Sequence, residues 1–401
     1  MQDVFIFDHL RTPRGKGRPG GALHRITPVQ LASQVLRGLR TRNQINPVDI
    51  DDVGLGVVMP IGEQGADITR IALLEAGYGD SVAGYQLNRF CTSGLDTVKM
   101  GFGLIASGQA QAAIGGGVES MSRVPIGSDG GAVYTDPDIG ARFPYVPNGV
   151  AADLMASLDG VQREEIDAYA VESQRRAAHA VQSGYFDASL LAVHDRLGQA
   201  VLARDEALRP GTSMADLAKL PAVFTQVGAA GYDQILLRRY PQLERIAHIH
   251  TGGNSSGIVD GACAVLLGNG AYGQRNGLRG RAHIRAVASC ADDPLLSLGG
   301  PIPVTDKVLA QAGMQIGDID LFEVNEAFAI VPMHYSRHYG IDPARINPNG
   351  GAIALGHPLG ATGAMLLGML LDELERRGLA TGLVTLCAAA GQSTAMIIER
   401  V

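Results

Sequence analysis

The sequence is poor in charge, in cysteine and in long apolar runs, and each shortage removes a class of protein. Charged residues occupy 18% of the 401 positions, below the roughly 25% of an average globular chain. The net charge is −7, and without a positive field the chain has no evident means of holding nucleic acid or an anionic membrane surface. The four cysteines, Cys91, Cys263, Cys290 and Cys387, show no C-x2-C spacing, which argues against a zinc knuckle and a disulfide-dense secreted scaffold. The stretch MQDVFIFDHLRTPRG has an acid at position 3 and only a brief apolar segment, and the longest apolar run near the carboxyl terminus is cut at Asp372. Neither reads as a signal peptide or a membrane span. These absences predict a soluble cytoplasmic protein with reduced thiols, no nucleic-acid partner and no membrane insertion. What is abundant is glycine, with 53 residues, nearly twice the usual share of about 7%, in a chain long enough for two or three domains.

Short apolar runs alternate with amphipathic ones: VFIF at 4–7, then Leu31, Val35 and Leu39 at helical spacing behind Thr27 and Pro28, then VGLGVV at 53–58. This α/β rhythm predicts parallel strands with helical crossovers, covered by helices on both faces. An internal echo is more informative. YQLNRFCTSGLDTVKMGFGLIASGQ followed by AQAAIGGGVES has the same order of strand, glycine-containing turn, helix, strand and small-residue turn as RINPNGGAIALGHPLGATGAMLLGMLLDELERR followed by GLVTLCAAAGQ. The chain therefore divides into a first α/β half over residues 1–121, completed by 253–271, and a second over 272–401. Between them, 122–252 is turn-rich, with one clear helix at about 163–182, and reads as an inserted loop domain of the kind that builds a binding wall.

Four residues could carry chemistry. Cys91 follows a strand and precedes Thr92, Ser93 and a helical pattern; a helix amino terminus favours thiolate, although a small buried cysteine would fit the same local context. His357 lies among glycines at 350, 351, 356, 360 and 363, and small neighbours permit close approach of a substrate. Cys387 ends the strand LVTLC, and if the halves are related by a pseudo-twofold axis it can face the same crevice. Asn325, in LFEVNEAFA, can cap a helix or anchor a polar atom beside a reacting carbonyl. His334 and His338 lack the glutamate of a zinc-binding H-E-x-x-H, GATGA at 360–364 lacks the lysine of a P-loop, and IGGGVES at 114–120 lacks dinucleotide spacing. No metal site is expected, and His248 and His250 read as half-exposed residues of a strand.

Taken in order, NRFCTSGLDTV, GGVESMSRVP, GNSSGIVDGA, NEAFA and GGAIALGHPLGATGA resemble the nucleophile, strand, coenzyme A, asparagine and histidine blocks of the thiolase family. The resemblance runs through nearly the whole chain. It implies a duplicated five-layer αβαβα fold with an inserted loop domain, and coenzyme A as a co-substrate with no tightly bound cofactor. It further implies a homodimer or homotetramer. By the family pattern Cys91 is the acylated nucleophile, His357 the base that activates it, Cys387 the acid/base at the substrate α-carbon, and Asn325 the holder of a water in one oxyanion hole. Ser256 matches a serine that contacts the pantetheine of coenzyme A.

The main departure is Cys387-Ala388-Ala389-Ala390-Gly391, where family members often have C-x-G-G-G. Ala389 keeps the backbone N–H expected in the second oxyanion hole but excludes dihedrals open only to glycine. Val146-Pro147-Asn148-Gly149-Val150 stands where short-chain biosynthetic thiolases carry His-Met-Gly, which favours a degradative enzyme. The segments RTPRGKG, QLNRFCTSGLD, GGVESMSRVPIGSDGGA and HIHTGGNSSGIVDGA look closest to thiolase subunits of bacterial fatty-acid oxidation complexes, which implies a hydratase/dehydrogenase partner chain. Two other readings compete. A β-ketoacyl synthase-like condenser would place histidine where Cys387 stands. A thiolase-like acyl-CoA-binding protein would have lost carbon–carbon bond chemistry through the altered AAAGQ turn.

Overall fold

The computed structural model describes residues 2–401. The first half supplies β1 (Phe5–Arg11), β2 (Asp52–Gly56), β3 (Ala83–Leu87), β4 (Ala112–Ser120) and β5 (Val259–Gly268). The second supplies β6 (Ala282–Ala291), β7 (Leu321–Val324), β8 (Thr381–Cys387) and β9 (Gln392–Arg400). Their order is β3-β2-β4-β5-β1 in one half and β7-β8-β9-β6 in the other, and the two runs meet edge to edge through Phe5 with His283 and Ile6 with Ala282. Outside β7, where β3 has its counterpart in the first half, a single parallel bridge joins Ile346 to Phe322. Both halves thus follow one topology, with the outermost strand of the second reduced to one residue pair.

The sheet is mixed, not parallel as the alternation of elements predicts. β2 pairs in parallel with β3 and β4, and β7 with β8, but β5 runs antiparallel to β1 and β4, and β9 antiparallel to β8 and β6. The reason lies in the connections. β8 and β9 are joined by only residues 388–391, which permits a hairpin and no crossover, while β5 re-enters the first half only after the long insertion.

Helices form five layers with these strands. α1 (Pro28–Arg42) begins at Thr27, whose backbone N–H donates to Gln30 Oε1 at 3.0 Å while its hydroxyl oxygen accepts the Gln30 N–H at 3.4 Å, a reciprocal cap. It packs with α2 (Ile68–Ala76) on one outer face, and α3 (Ser93–Ala106) lies on the inner one. The insertion contributes α4 (Asn148–Leu158) and α5 (Arg163–Gln182), the latter where the sequence places it. In the second half α6 (Pro301–Ala312) and α7 (Ile330–Tyr339) form the other outer layer, and α8 (Leu359–Arg377) packs beside α3 between the two sheets. The apolar run ahead of Asp372 is therefore a central helix. Its Met365, Leu366, Leu370 and Leu374 are buried on several faces, each such side chain stabilising the fold by roughly 1.5–3 kcal/mol. Gly378, at φ 66°, closes it in a left-handed cap. Among the described residues no helix is long and apolar enough to cross a membrane.

The amino terminus of α8 sits against backbone. A Cβ on Gly117 would lie 2.0 Å from the Gly360 carbonyl oxygen, one on Gly56 2.5 Å and one on Gly94 2.6 Å. Three glycines of the first half thereby admit the second. Gly117→Ala should cost about 3 kcal/mol through overpacking against a carbonyl that cannot rotate away; urea unfolding of the variant against the parent measures it, and an unchanged midpoint would contradict this seam.

Candidate active site

The turn between β3 and α3 carries Cys91. Phe90, just before it, has φ 48°, a left-handed conformation that costs a non-glycine residue about 1 kcal/mol or more. Side chains hold this turn: Asn88 Oδ1 accepts the Phe90 N–H at 2.9 Å, Ser93 Oγ accepts the Arg89 N–H at 2.8 Å, and the Thr92 hydroxyl donates to Asp96 at 2.7 Å. Cys91 is 7% exposed. Burial pushes its thiol up to about 12, reinforced by the nearby Glu119 carboxylate. Burial thus favours the protonated thiol, against the thiolate that the helix end favours by position.

His357 precedes α8 and is buried. Its backbone N–H donates to the Gly257 carbonyl at 2.9 Å, which ties it to the GNSSG loop. Its Nδ1 lies 2.6 Å from Thr362 Oγ1, and the hydroxyl hydrogen of Thr362 is directed to the Pro358 carbonyl at 2.9 Å. With that hydrogen committed, Thr362 accepts from Nδ1–H, and the tautomer follows: Nε2 carries the lone pair. Asn325 Nδ2 stands 3.4 Å from Nε2, the orientation a donor takes toward an unprotonated nitrogen. Burial, with the Arg14 charge as a second cause, lowers His357 to about 3. A protonated thiol and a neutral imidazole are the resting forms.

Asn325 does not cap a helix. Its N–H donates to the Thr385 carbonyl at 3.1 Å, the next helix begins only at Ile330, and its buried Oδ1 has no partner among the described residues. Cys387, at the end of β8, is fully buried. Its thiol is raised by burial first and by the charge of Cys91 second, so the two sulfurs sense one another. The turn that follows places Ala389 and Ala390 on the same cavity as Cys91, Asn148 and Leu359, a space of about 430 Å³. In this turn Ala390, and not Ala389, adopts the left-handed conformation, at φ 58°; the strain of replacing glycine falls one residue later than the motif suggests. Ser256 lies apart, in a groove with Lys16, Arg18, Arg209, Gly252 and Gly257.

His248 and His250 are not strand residues. They lie in an extended loop, where buried Asp153 of α4 accepts from His248 Nδ1 at 2.8 Å, His250 Nδ1 at 2.7 Å and the His250 N–H at 3.0 Å. An alternating pattern does not reveal such a buried carboxylate, and His250 is fully enclosed. His334 Nδ1 is bound to Asp159 at 2.6 Å.

Family comparison decides between the competing readings. A model of the thiolase N-terminal domain matches residues 4–231, and one of the thiolase C-terminal domain matches residues 278–400. The chain belongs to the thiolase family. It is 38% identical to a beta-ketoadipyl-CoA thiolase of Pseudomonas knackmussii and 35% identical to a 3-ketoacyl-CoA thiolase of Erwinia tasmaniensis, each over 100% of both chains. A steroid 3-ketoacyl-CoA thiolase of Mycobacterium tuberculosis is 37% identical over 100% of this chain and 95% of the relative. This thiolase is an acyltransferase that cleaves 3-ketoacyl-CoA with coenzyme A as co-substrate.

Two supporting residues escaped the sequence reading. Thr362 could have been noticed as a hydroxyl one turn into the helix behind His357. Glu119 stood in a quoted motif without a role. Its buried carboxylate accepts N–H groups from Val58 at 2.9 Å, Met59 at 3.2 Å and Gly360 at 2.9 Å, and the Gln64 amide at 2.7 Å. It joins the ends of β2 and β4 to the start of α8.

Removing the Thr362 acceptor should release the tautomer, so Thr362→Val lowers kcat/KM by roughly 10- to 100-fold with Thr362→Ser close to the parent; equal activity in all three would refute the assignment. Because His357 titrates far below its ordinary value, the neutral base persists on acidification. The rate of Cys91 acylation should change by less than about twofold between about pH 8 and pH 6. A limb with an ordinary imidazole midpoint in stopped-flow acylation would contradict this.

Proposed function

We propose that Cys91, His357, Cys387, Asn325 and Ala389 act together in thiolysis and that the enzyme works in the degradative direction on neutral acyl chains, as in fatty-acid β-oxidation. The observation that supports the catalytic reading most is the unprotonated Nε2 of His357 beside the Asn325 amide, with Cys91 and Ala389 lining one cavity. His357 Nε2 takes the Cys91 proton, and the sulfur attacks the 3-keto carbon of the substrate. The bond between C2 and C3 then breaks, and its electron pair passes into the enolate of acetyl-CoA. Cys387 donates its proton to C2, which completes acetyl-CoA and leaves the shortened acyl group on Cys91. The Cys387 thiolate takes the proton of incoming coenzyme A, whose sulfur displaces Cys91, and Cys91 recovers its proton from His357. Asn325, through a water on its unpartnered Oδ1, and the Ala389 N–H stabilise the two oxyanions.

Ser256 contacts the pantetheine in this reading, and the Lys16, Arg18 and Arg209 side chains that share its groove suit the phosphates of coenzyme A. The chain divides into halves 1–121 with 253–271 and 272–401 around the loop domain 122–252. The assembly is a homodimer or homotetramer in the cytoplasm, with a hydratase/dehydrogenase chain as partner, since such a chain makes the 3-keto group that thiolysis consumes.

The acyl side of the cavity is lined by Val58, Met59, Phe90, Ile126, Tyr134 and Tyr145, and among the described residues its one charged lining residue is Asp129. An acyl chain ending in a carboxylate, as an adipyl group does, would meet like charge there; Arg142 and Arg239 line an adjoining cavity across Val133 and Tyr145. Neutral 3-ketoacyl-CoAs should therefore exceed 3-oxoadipyl-CoA in kcat/KM by about tenfold or more, and a preference for the dicarboxylate would refute the substrate class. Cys91→Ser should abolish both acyl-enzyme formation and turnover. Cys387→Ala should still accept an acyl group from acyl-CoA yet lose cleavage, and full cleavage by either variant would remove its assignment.

A further inference from the structure

The turn after Cys387 holds a residue under strain, and a side chain from elsewhere meets it there. Ala390 has φ 58° and ψ 35°. Its N–H donates to Ser297 Oγ at 3.1 Å, and the Ser297 hydroxyl donates to Asn148 Oδ1 at 2.9 Å. Ser297 is 1% exposed and itself has φ 58°. Two left-handed non-glycine residues thus face each other across one hydrogen bond.

The surrounding segment cradles the same turn. The Asp292 N–H donates to the Gly391 carbonyl at 2.9 Å, and a Cβ on Gly391 would lie 2.5 Å from the Asp292 carbonyl oxygen. From the loop domain, the Tyr240 hydroxyl donates to Asp293 at 3.0 Å. The far end of the chain of hydrogen bonds is Asn148, at the start of α4, which lines the Cys91 cavity.

We infer that Ser297 is a positioning residue for the second oxyanion hole: its hydroxyl fixes Ala390 in the left-handed conformation and so aims the N–H of Ala389 into the cavity. The physical need follows from composition. Glycine at 390 would occupy this conformation freely, whereas alanine relaxes toward negative φ unless something holds it. Rotation at Ala390 turns the preceding peptide groups, and a donor displaced from the developing enolate oxygen loses its effect on the transition state. Ser297 supplies the one side-chain acceptor for that N–H, and its own hydrogen is already committed to Asn148. The inference rests on the thiolysis scheme proposed above for Cys387 and Ala389.

The test is Ser297→Ala in the full chain, with cleavage of a 3-ketoacyl-CoA and acylation of Cys91 by a simple acyl-CoA followed separately. Cleavage kcat should fall roughly 10- to 100-fold while KM and the acylation rate stay within about twofold. Adding Ala390→Gly to Ser297→Ala does not restore the lost acceptor, but glycine reaches the left-handed region without strain and should recover most of the cleavage rate. Unchanged cleavage in Ser297→Ala, or equal loss of acylation and cleavage with no rescue by glycine, would overturn the inference. Cys387→Ala run in parallel separates the two readings: if it cleaves at the parental rate the thiolysis scheme fails, and if it is inactive while Ser297→Ala is normal only the positioning role fails.

Discussion

Backbone meets backbone where α8 begins, and the rest of the molecule is arranged around that contact. Gly56, Gly94 and Gly117 leave room for the Gly360 carbonyl, and Glu119 receives the Gly360 N–H together with those of Val58 and Met59. Side chains at the three glycine positions would hold the halves apart. With hydrogen there instead, the helix carrying His357 at its entrance lies against the half that carries Cys91. A buried carboxylate satisfied by three backbone donors is a rigid staple, because releasing any one of them leaves a desolvated polar group.

The chemistry depends on burial as much as on approach. Desolvation raises the thiols of Cys91 and Cys387 and lowers the His357 imidazole, so these three groups rest uncharged. Arg14 adds to the lowering of His357; its guanidinium is buried against the sulfurs of Met365 at 3.3 Å and Met369 at 3.6 Å on α8. A neutral pair keeps proton transfer coupled to the attack on substrate instead of storing a thiolate open to side reactions. The Thr362 and Asn325 contacts then leave the lone pair of the ring on Nε2.

The segment 122–252 shares a buried apolar core with the second half, Val150, Leu154 and Ile166 clustering with Phe322, Ile330 and Ile353, and polar side chains add directed contacts to it. Asp153 gathers His248 and His250, and the Asn254 amide donates to Asp167 of α5 at 2.8 Å, so the segment leading to Ser256 is anchored on two helices of the insertion. From the other side, Tyr240 and Asn148 reach the segment 292–297 that borders the second cysteine. The walls of the Ser256 groove and of the Cys91 cavity are therefore tied to the turns that carry these residues.

Much of this was legible in one dimension. Capping residues and apolar periodicity placed α1 and α5, and the echo around Cys91 and Cys387 marked two units of the same topology, because such signals are local and each element carries its own. The five ordered motifs named the family. Strand direction was not legible: β5 and β9 are antiparallel because of how far, or how little, the chain travels before them. Nor were the burial of His248 and His250, the tautomer of His357 or the strain at Ala390. Each depends on a partner distant in sequence, Asp153, a hydroxyl whose own hydrogen is committed, and Ser297. Residue types and their spacing determined which groups exist and which elements carry them; desolvation and hydrogen-bond direction, which decide their protonation and aim, arise only when the two halves close on each other.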